Sequence, residues 1–377
     1  MKSWARALLV VTFSSLLRAQ SPSAAIALEQ QGKLSEAAAA WRVITKQNPR
    51  DAAAFASLGV VLSKEQKYRE AAAAYRKALA LNPKLPGVQL NLGLAEFKQG
   101  NFSAAVAPFR AAVAADPDSL QARMLLGFSY YGAGKFADAA KHLQIAAKAD
   151  PSNTELHHVL AQSCLWAKQY DCALAEFRQL LQQDPDSATV HMLTGEALDG
   201  QGKTPEAIVE FQAAAKVAPQ EPGVHFGLGF LYWKSHQYDE AKREFESELS
   251  LDPDHAQALA YLGDIEMKRD NLENALALLE KAVRLKNDIR IAYVDMGVVL
   301  AQQKKYEEAL IALRRAVELD PANPDVHYRL GHVYQEMGNT EESKKEFAKV
   351  RELREQADEL FRKMSSSPPS LNQPEKK

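Results

Sequence analysis

The sequence predicts an all-α fold, a solenoid of about ten 34-residue helix-turn-helix repeats, on three observations. Prolines recur at Pro49, Pro83, Pro117, Pro151, Pro185, Pro219 and Pro253, each 34 residues after the last, and Pro321 resumes the series after Asn287. A small-residue column keeps the same beat through Gly59, Gly93, Gly127, Gly195, Gly229, Gly263, Gly297 and Gly331, with Ala25 and Ala161 completing it. A column of alanines from Ala37 to Ala309, ending in Ser343, is followed four residues later by Trp41, Tyr75, Phe109, Leu143, Phe177, Phe211, Phe245, Leu279, Leu313 and Phe347.

Taken in chain order, residues 1–19 come first. Lys2 and Arg6 precede an apolar run from Ala7 to Leu17, and Ala19 offers a small residue before a cut at Gln20. That is the pattern of a secretory signal peptide, and the run is short for a membrane span. An uncleaved segment anchored in a membrane is the alternative. Ten repeats follow at 18–51, 52–85, 86–119, 120–153, 154–187, 188–221, 222–255, 256–289, 290–323 and 324–357, so that a solenoid occupies residues 20–357. Within each, an apolar 3.6-residue period predicts helix A, a short polar turn follows, and the period resumes as helix B. Gly32, Gly100, Asn101, Gly134, Gly202, Asp270, Asn271, Gly338 and Asn339 mark the turns as residues that accept left-handed backbone. The proline stops helix B and suits the start of the next helix. Residues 358–377 are expected to finish a polar capping helix that shields the last open face, then to form a disordered tail.

The small columns have a packing reason: where helix A crosses helix B, missing side chains let the backbones approach and the large residue fills the space beside them. Positions 4, 7, 8 and 11 of each repeat are expected to form the core, and Ala207→Leu to overpack a crossing by about 1–3 kcal/mol.

Leu228-Gly229, Tyr232, Ala241, Phe245 and Pro253, with their equivalents along the chain, resemble the tetratricopeptide repeat family. The resemblance implies a right-handed superhelix whose concave groove, lined by positions 2, 5, 9 and 12 of helix A, holds an extended peptide or a partner helix. Here that stripe carries Met124, Phe128, Tyr131, His158, Gln162, Met192, Glu196, Phe226, Phe230, Trp233 and Asp264, with Trp166 and Tyr261 beside it. Some of these aromatics are alternatively expected to pack against the next repeat. The family's peptide-carboxylate clamp needs lysine and asparagine where Leu90, Leu94, Met124 and Phe128 stand, so that recognition mode is not expected.

Composition excludes several classes. Forty-six basic against 48 acidic residues give a net charge of −2, without the basic excess that phosphate contacts need, so no nucleic-acid partner is expected. Gly202-Lys203-Thr204 imitates the end of a phosphate loop, but Ala197 stands where its first glycine belongs. His157, His191, His225 and His327 share one repeat position and are read as packing residues, and acidic residues show no converging pair. No catalytic residue, metal site or cofactor is expected. Cys164 and Cys172 flank the turn of repeat five and could form a disulfide in an exported protein; two buried thiols are the alternative.

The expected function is therefore a non-enzymatic scaffold, periplasmic or secreted, that binds a peptide or protein partner in its groove. The alternatives are a structural subunit of a cell-envelope complex and an accessory subunit that positions a separate enzyme. Membrane contact is expected only through an uncleaved leader.

Overall fold

Short polar turns and one backbone geometry, repeated every 34 residues, build the chain. The computed structural model describes residues 21–366, and the expected signal peptide and tail end lie outside them. Among the described residues all regular structure is helical. Repeat by repeat, the helices are α1 (Pro22–Gln30) and α2 (Leu34–Gln47), α3 (Ala52–Lys64) and α4 (Tyr68–Leu81), α5 (Val88–Lys98) and α6 (Phe102–Ala115), α7 (Leu120–Gly132) and α8 (Phe136–Ala149), α9 (Thr154–Trp166) and α10 (Tyr170–Gln183). The series continues with α11 (Ala188–Gly200) and α12 (Thr204–Val217), α13 (Val224–Lys234) and α14 (Tyr238–Leu251), α15 (Ala256–Lys268) and α16 (Leu272–Leu285), α17 (Arg290–Gln302) and α18 (Tyr306–Leu319), α19 (Pro324–Glu336) and α20 (Thr340–Ser366). Odd helices are helix A of each repeat and even ones helix B. Two compact units divide the described chain: residues 21–185 with 196–202, and residues 186–195 with 203–366. Within each, helix A packs on its own helix B and on the helix B before it.

The A-to-B turns share one device. The residues at 32, 66, 100, 134, 168, 202, 236, 270, 304 and 338, one per repeat, all have φ between 58° and 78°. The next residue's N–H reaches back to a helix A carbonyl, as from Lys33 to Leu28 at 2.9 Å and from Asn339 to Tyr334 at 2.8 Å, which is a Schellman closure. Asn101, Asn271 and Asn339 were expected in left-handed backbone; they instead follow the left-handed residue, and Asn101 and Asn271 precede helix B with φ of −80° and −90°. Gln66, Lys168, His236 and Lys304 adopt the left-handed conformation without being glycine.

The prolines stop helix B as expected but do not open helix A, which starts three residues later in most repeats. Asp51, Ser119, Asn153, His255 and Asn323 cap those starts through side-chain acceptors. Repeats three and seven differ: Pro86-Gly87 and Pro222-Gly223 put a left-handed glycine at the cap, so α5 and α13 begin later and have no capping side chain of their own. In repeat seven the buried Glu248 carboxylate of α14 accepts from the Phe226 N–H at 3.0 Å and supplies the cap. The matching residue in repeat three is Ala112, and there a cavity of about 410 Å³ opens among Gly87, Leu90, Ala112 and Ser119.

The crossing of helix A over helix B follows the sequence. A Cβ built on each glycine of the column would lie 2.5–2.9 Å from the large residue sixteen positions on, as Gly229 from Phe245 and Gly59 from Tyr75. The core is wider than expected. Positions 3 and 10 are buried throughout repeats two to ten, as Val224 and Leu231 illustrate, because helix A is covered by two helices B rather than one. Position 4 is buried at His157, Leu259 and His327 and half-buried at Phe55, His191, His225 and Tyr293; its histidines meet helix B through Nδ1, with His157–Glu176 at 2.5 Å and His191–Glu210, His225–Glu244 and His327–Glu346 each at 2.6 Å. On their other side His225 and His327 reach the carbonyls of Pro219 and Pro321 through Nε2. The expected capping helix is the C-terminal continuation of α20, and its residues 354–363 are exposed.

Candidate partner-binding surface

The expected groove residues fall on both units, and each set is described within its own. In the first unit, helix A of repeats four and five places Tyr131 and Trp166 face to face, 5.4 Å between ring centroids, and Phe136 of α8 completes the cluster 4.9 Å from Trp166. The Tyr131 hydroxyl donates to Gln162 Oε1 at 2.5 Å, and burial pushes this phenol above its ordinary value. Trp166 nevertheless keeps 45% of its surface exposed, so the cluster offers an aromatic face to solvent. Met124, Phe128 and His158 are half-buried on the same helices, and Glu196, at the C-terminal part of α11, is exposed. Phe136 starts helix B, outside the helix A stripe; the signal that could have found it is the aromatic column Tyr68, Phe102, Phe136, Tyr170, Tyr238 and Tyr306 at the same repeat position.

In the second unit the aromatic cluster is denser. Phe230 stacks on Trp233 at 6.0 Å, and Tyr261 meets Trp233 edge-on at 4.9 Å and Phe230 at 5.5 Å. Phe226 lies between Phe245 and His255, 4.7 Å from the imidazole. Met192 is half-buried on α11. The Trp233 Nε1–H donates to Asp264 Oδ2 at 2.6 Å, Lys268 pairs with Asp264 Oδ1, and the Lys268 ammonium sits 6.0 Å above the indole. The aromatic residues thus both pack between repeats and keep a partly exposed face.

Two expectations need correction here. Asp264 is 2% exposed and does not line a surface; it anchors Trp233 and Lys268 from below. The expectation of no converging acidic pair also fails, because Asp295 of α17 is 5% exposed and hydrogen-bonds to Asp264. Burial, then the Asp264 charge, hold the Asp295 carboxyl well above the usual carboxylate range, against the opposing pull of Lys268 and Arg329. The pair lies beneath the rings.

Cys164 ends helix A of repeat five and Cys172 starts its helix B, with Cα atoms 5.8 Å apart and the sulfurs joined in the structure, a separation a disulfide spans without backbone movement. Gly202-Lys203-Thr204 forms the turn from α11 to α12, with Gly202 left-handed. Among the described residues no group of three or more His, Cys, Asp or Glu side chains is placed to hold a metal ion, and no helix is long and apolar enough to cross a membrane.

Helix pairs repeated every 34 residues, locked by contact of a glycine or alanine with a ring or leucine, with rings presented on helix A, define a helical repeat protein. The chain belongs to the tetratricopeptide repeat family: models described as TPR repeat match residues 62–100 and 297–338, and tetratricopeptide repeat models match 90–154, 226–289, 130–197 and 324–357. Among solved structures it is similar to the APC/C hetero-tetramer Cut9–Hcn1, at 13% identity and TM-score 0.52, over 88% of this chain and 79% of that one. It is also similar to MamA from Desulfovibrio magneticus RS-1, at 24% identity and TM-score 0.41, over 46% of this chain and 98% of that one. A third is the C-terminal part of a TPR repeat-containing protein from Cytophaga hutchinsonii, at 18% identity and TM-score 0.47, over 63% and 98%. No curated protein matches the sequence. These likenesses concern the fold alone.

Proposed function

We propose that this chain is a non-enzymatic scaffold that holds a peptide or partner protein against the helix A faces of its repeats. The observation that carries this is the partly exposed ring clusters, Tyr131 with Trp166 in one unit and Phe230, Trp233 and Tyr261 in the other. Rings pinned by hydrogen bonds and stacking lose little further freedom on binding, which is why such residues anchor interfaces. Binding would bury side chains of the partner between them, with no bond made or broken. The leader pattern and the placement of Cys164 and Cys172 support an exported protein, in the periplasm or outside the cell.

The test is affinity capture with crosslinking from the native host, comparing the parent with Trp166→Ser and with Phe230→Ser. Both variants leave Asp264 and its partners in place, and circular dichroism checks that each is folded. Loss of a specific partner supports the proposal. Unchanged capture by both would overturn groove binding and favour a structural subunit that assembles through other faces.

A further inference from the structure

Position 9 of helix A carries Gln162, Glu196 and Asp264 in repeats five, six and eight. Two of these three side chains are held by the repeat before them. In both cases the donor stands thirty-one residues earlier: the Tyr131 hydroxyl donates to Gln162 Oε1 at 2.5 Å, and the Trp233 Nε1–H to Asp264 Oδ2 at 2.6 Å. Asp264 also has a cation of its own. Lys268, one turn on, pairs with Oδ1, and its ammonium lies 6.0 Å from the Trp233 ring centre and 5.7 Å from that of Tyr238.

Glu196 has the same setting with these partners replaced. The residue thirty-one positions before it is Leu165, which has no donor, and the residue one turn after it is Gly200, which has no side chain. The rest of the arrangement is kept. Tyr170, the counterpart of Tyr238, packs its ring directly on Gly200. Gln201 donates to Asp171 at 2.7 Å where Arg269 pairs with Asp239. Among the described residues the Glu196 carboxylate has neither a hydrogen-bond nor an ion-pair partner. Its side chain is open to solvent, yet the surrounding chain desolvates the carboxyl and pushes it above its ordinary value. In such partly desolvated surroundings an arriving cation is held more strongly than in bulk water.

We propose that Glu196 recognises a basic side chain of the bound peptide, lysine or arginine, whose cation sits against the Glu196 carboxylate and the Tyr170 ring as Lys268 sits against Asp264 and Tyr238; this rests on the groove being the binding surface. Random dodecapeptides displayed on phage and selected on the full chain supply the probe. Those whose binding falls with Trp166→Ser are groove-bound, and they should share a lysine or arginine at one position. In fluorescence anisotropy, replacing that residue by alanine should weaken binding to the parent at least about tenfold, and to Glu196→Gln by less than about twofold. Selection on Glu196→Lys should instead enrich aspartate or glutamate at that position, a reversal that a loss of structure cannot produce. Groove-bound peptides without a shared basic residue, or with one whose replacement costs the same on parent and Glu196→Gln, would overturn this role and leave groove binding intact. A library yielding no peptide sensitive to Trp166→Ser would overturn both.

Discussion

Asp295 carries a carboxyl oxygen, Oδ2, that is buried without a hydrogen-bond partner, beside a second buried carboxylate. A carboxyl held above its ordinary value in the folded state stabilises the fold while protonated and loses that contribution as pH rises through the raised value. Asp295→Asn keeps the shape, cannot ionise and still donates to Asp264. It should therefore raise stability at pH 7 by about 1–3 kcal/mol, and the gain should shrink as pH falls toward the ordinary carboxylate range. Denaturant unfolding at several pH values measures this; a gain independent of pH would contradict the assignment. The left-handed residues make a second residue-scale prediction. Gln66 and Lys304 are exposed at φ 60°, where a Cβ is unfavourable, so Gln66→Gly and Lys304→Gly should each add about 1 kcal/mol in thermal melts. Glycine at 32, 100, 134, 202 and 338 announced the turns. The other five turns form anyway, because the packed helix pair dictates the backbone and overrides local preference. Asp264 was misread for a similar reason: its stripe position is right, but the ring of Trp233 from the preceding repeat covers it.

Among the elements, α5 and α13 share the Pro-Gly opening and differ in one capping side chain, which makes them a matched pair. Glu248→Ala should cost about 0.5–2 kcal/mol by stripping the cap from α13, and Ala112→Glu should gain a similar amount by filling the cavity beside α5. Equal melting temperatures for parent and both variants would refute the capping role. Ala207 of α12 is fully buried at a helix crossing, so Ala207→Leu retains its expected cost of about 1–3 kcal/mol, read from the same melts. Helix existence and spacing were legible in the sequence because apolar period and turn recur along the chain and proline joins them in all repeats but the eighth and tenth. The extra buried columns at positions 3 and 10 were not, since one helix viewed alone does not reveal that two neighbours cover it. The run-on of α20 past Phe347 was legible, but its exposure was not, because nothing in its composition separates a capping helix from an extended one.

For the chain as a whole, the 34-residue period carried the fold almost completely, while the surface that meets a partner was legible only as a stripe and not as the two clusters that ring contacts assemble. The proposal of export joins two features at this scale, the leader pattern and the cysteines. Protein from an oxidising compartment should begin at Gln20 and weigh two hydrogens less than its reduced form. Free thiols at Cys164 and Cys172 in such material would refute the disulfide, and an intact residue 1 would refute cleavage. The glycine–ring contact has a consequence for how such a chain diverges. Both members belong to one repeat, sixteen residues apart, so each repeat carries its own lock and a duplicated copy brings a working one with it. Ala25 over Trp41 and Ala161 over Phe177, with both rings still buried, show how far the lock can drift: one methyl is accommodated without exposing the ring. Among homologues, compensating exchanges are therefore expected at a separation of sixteen within a repeat, and copy number can change without any core being rebuilt.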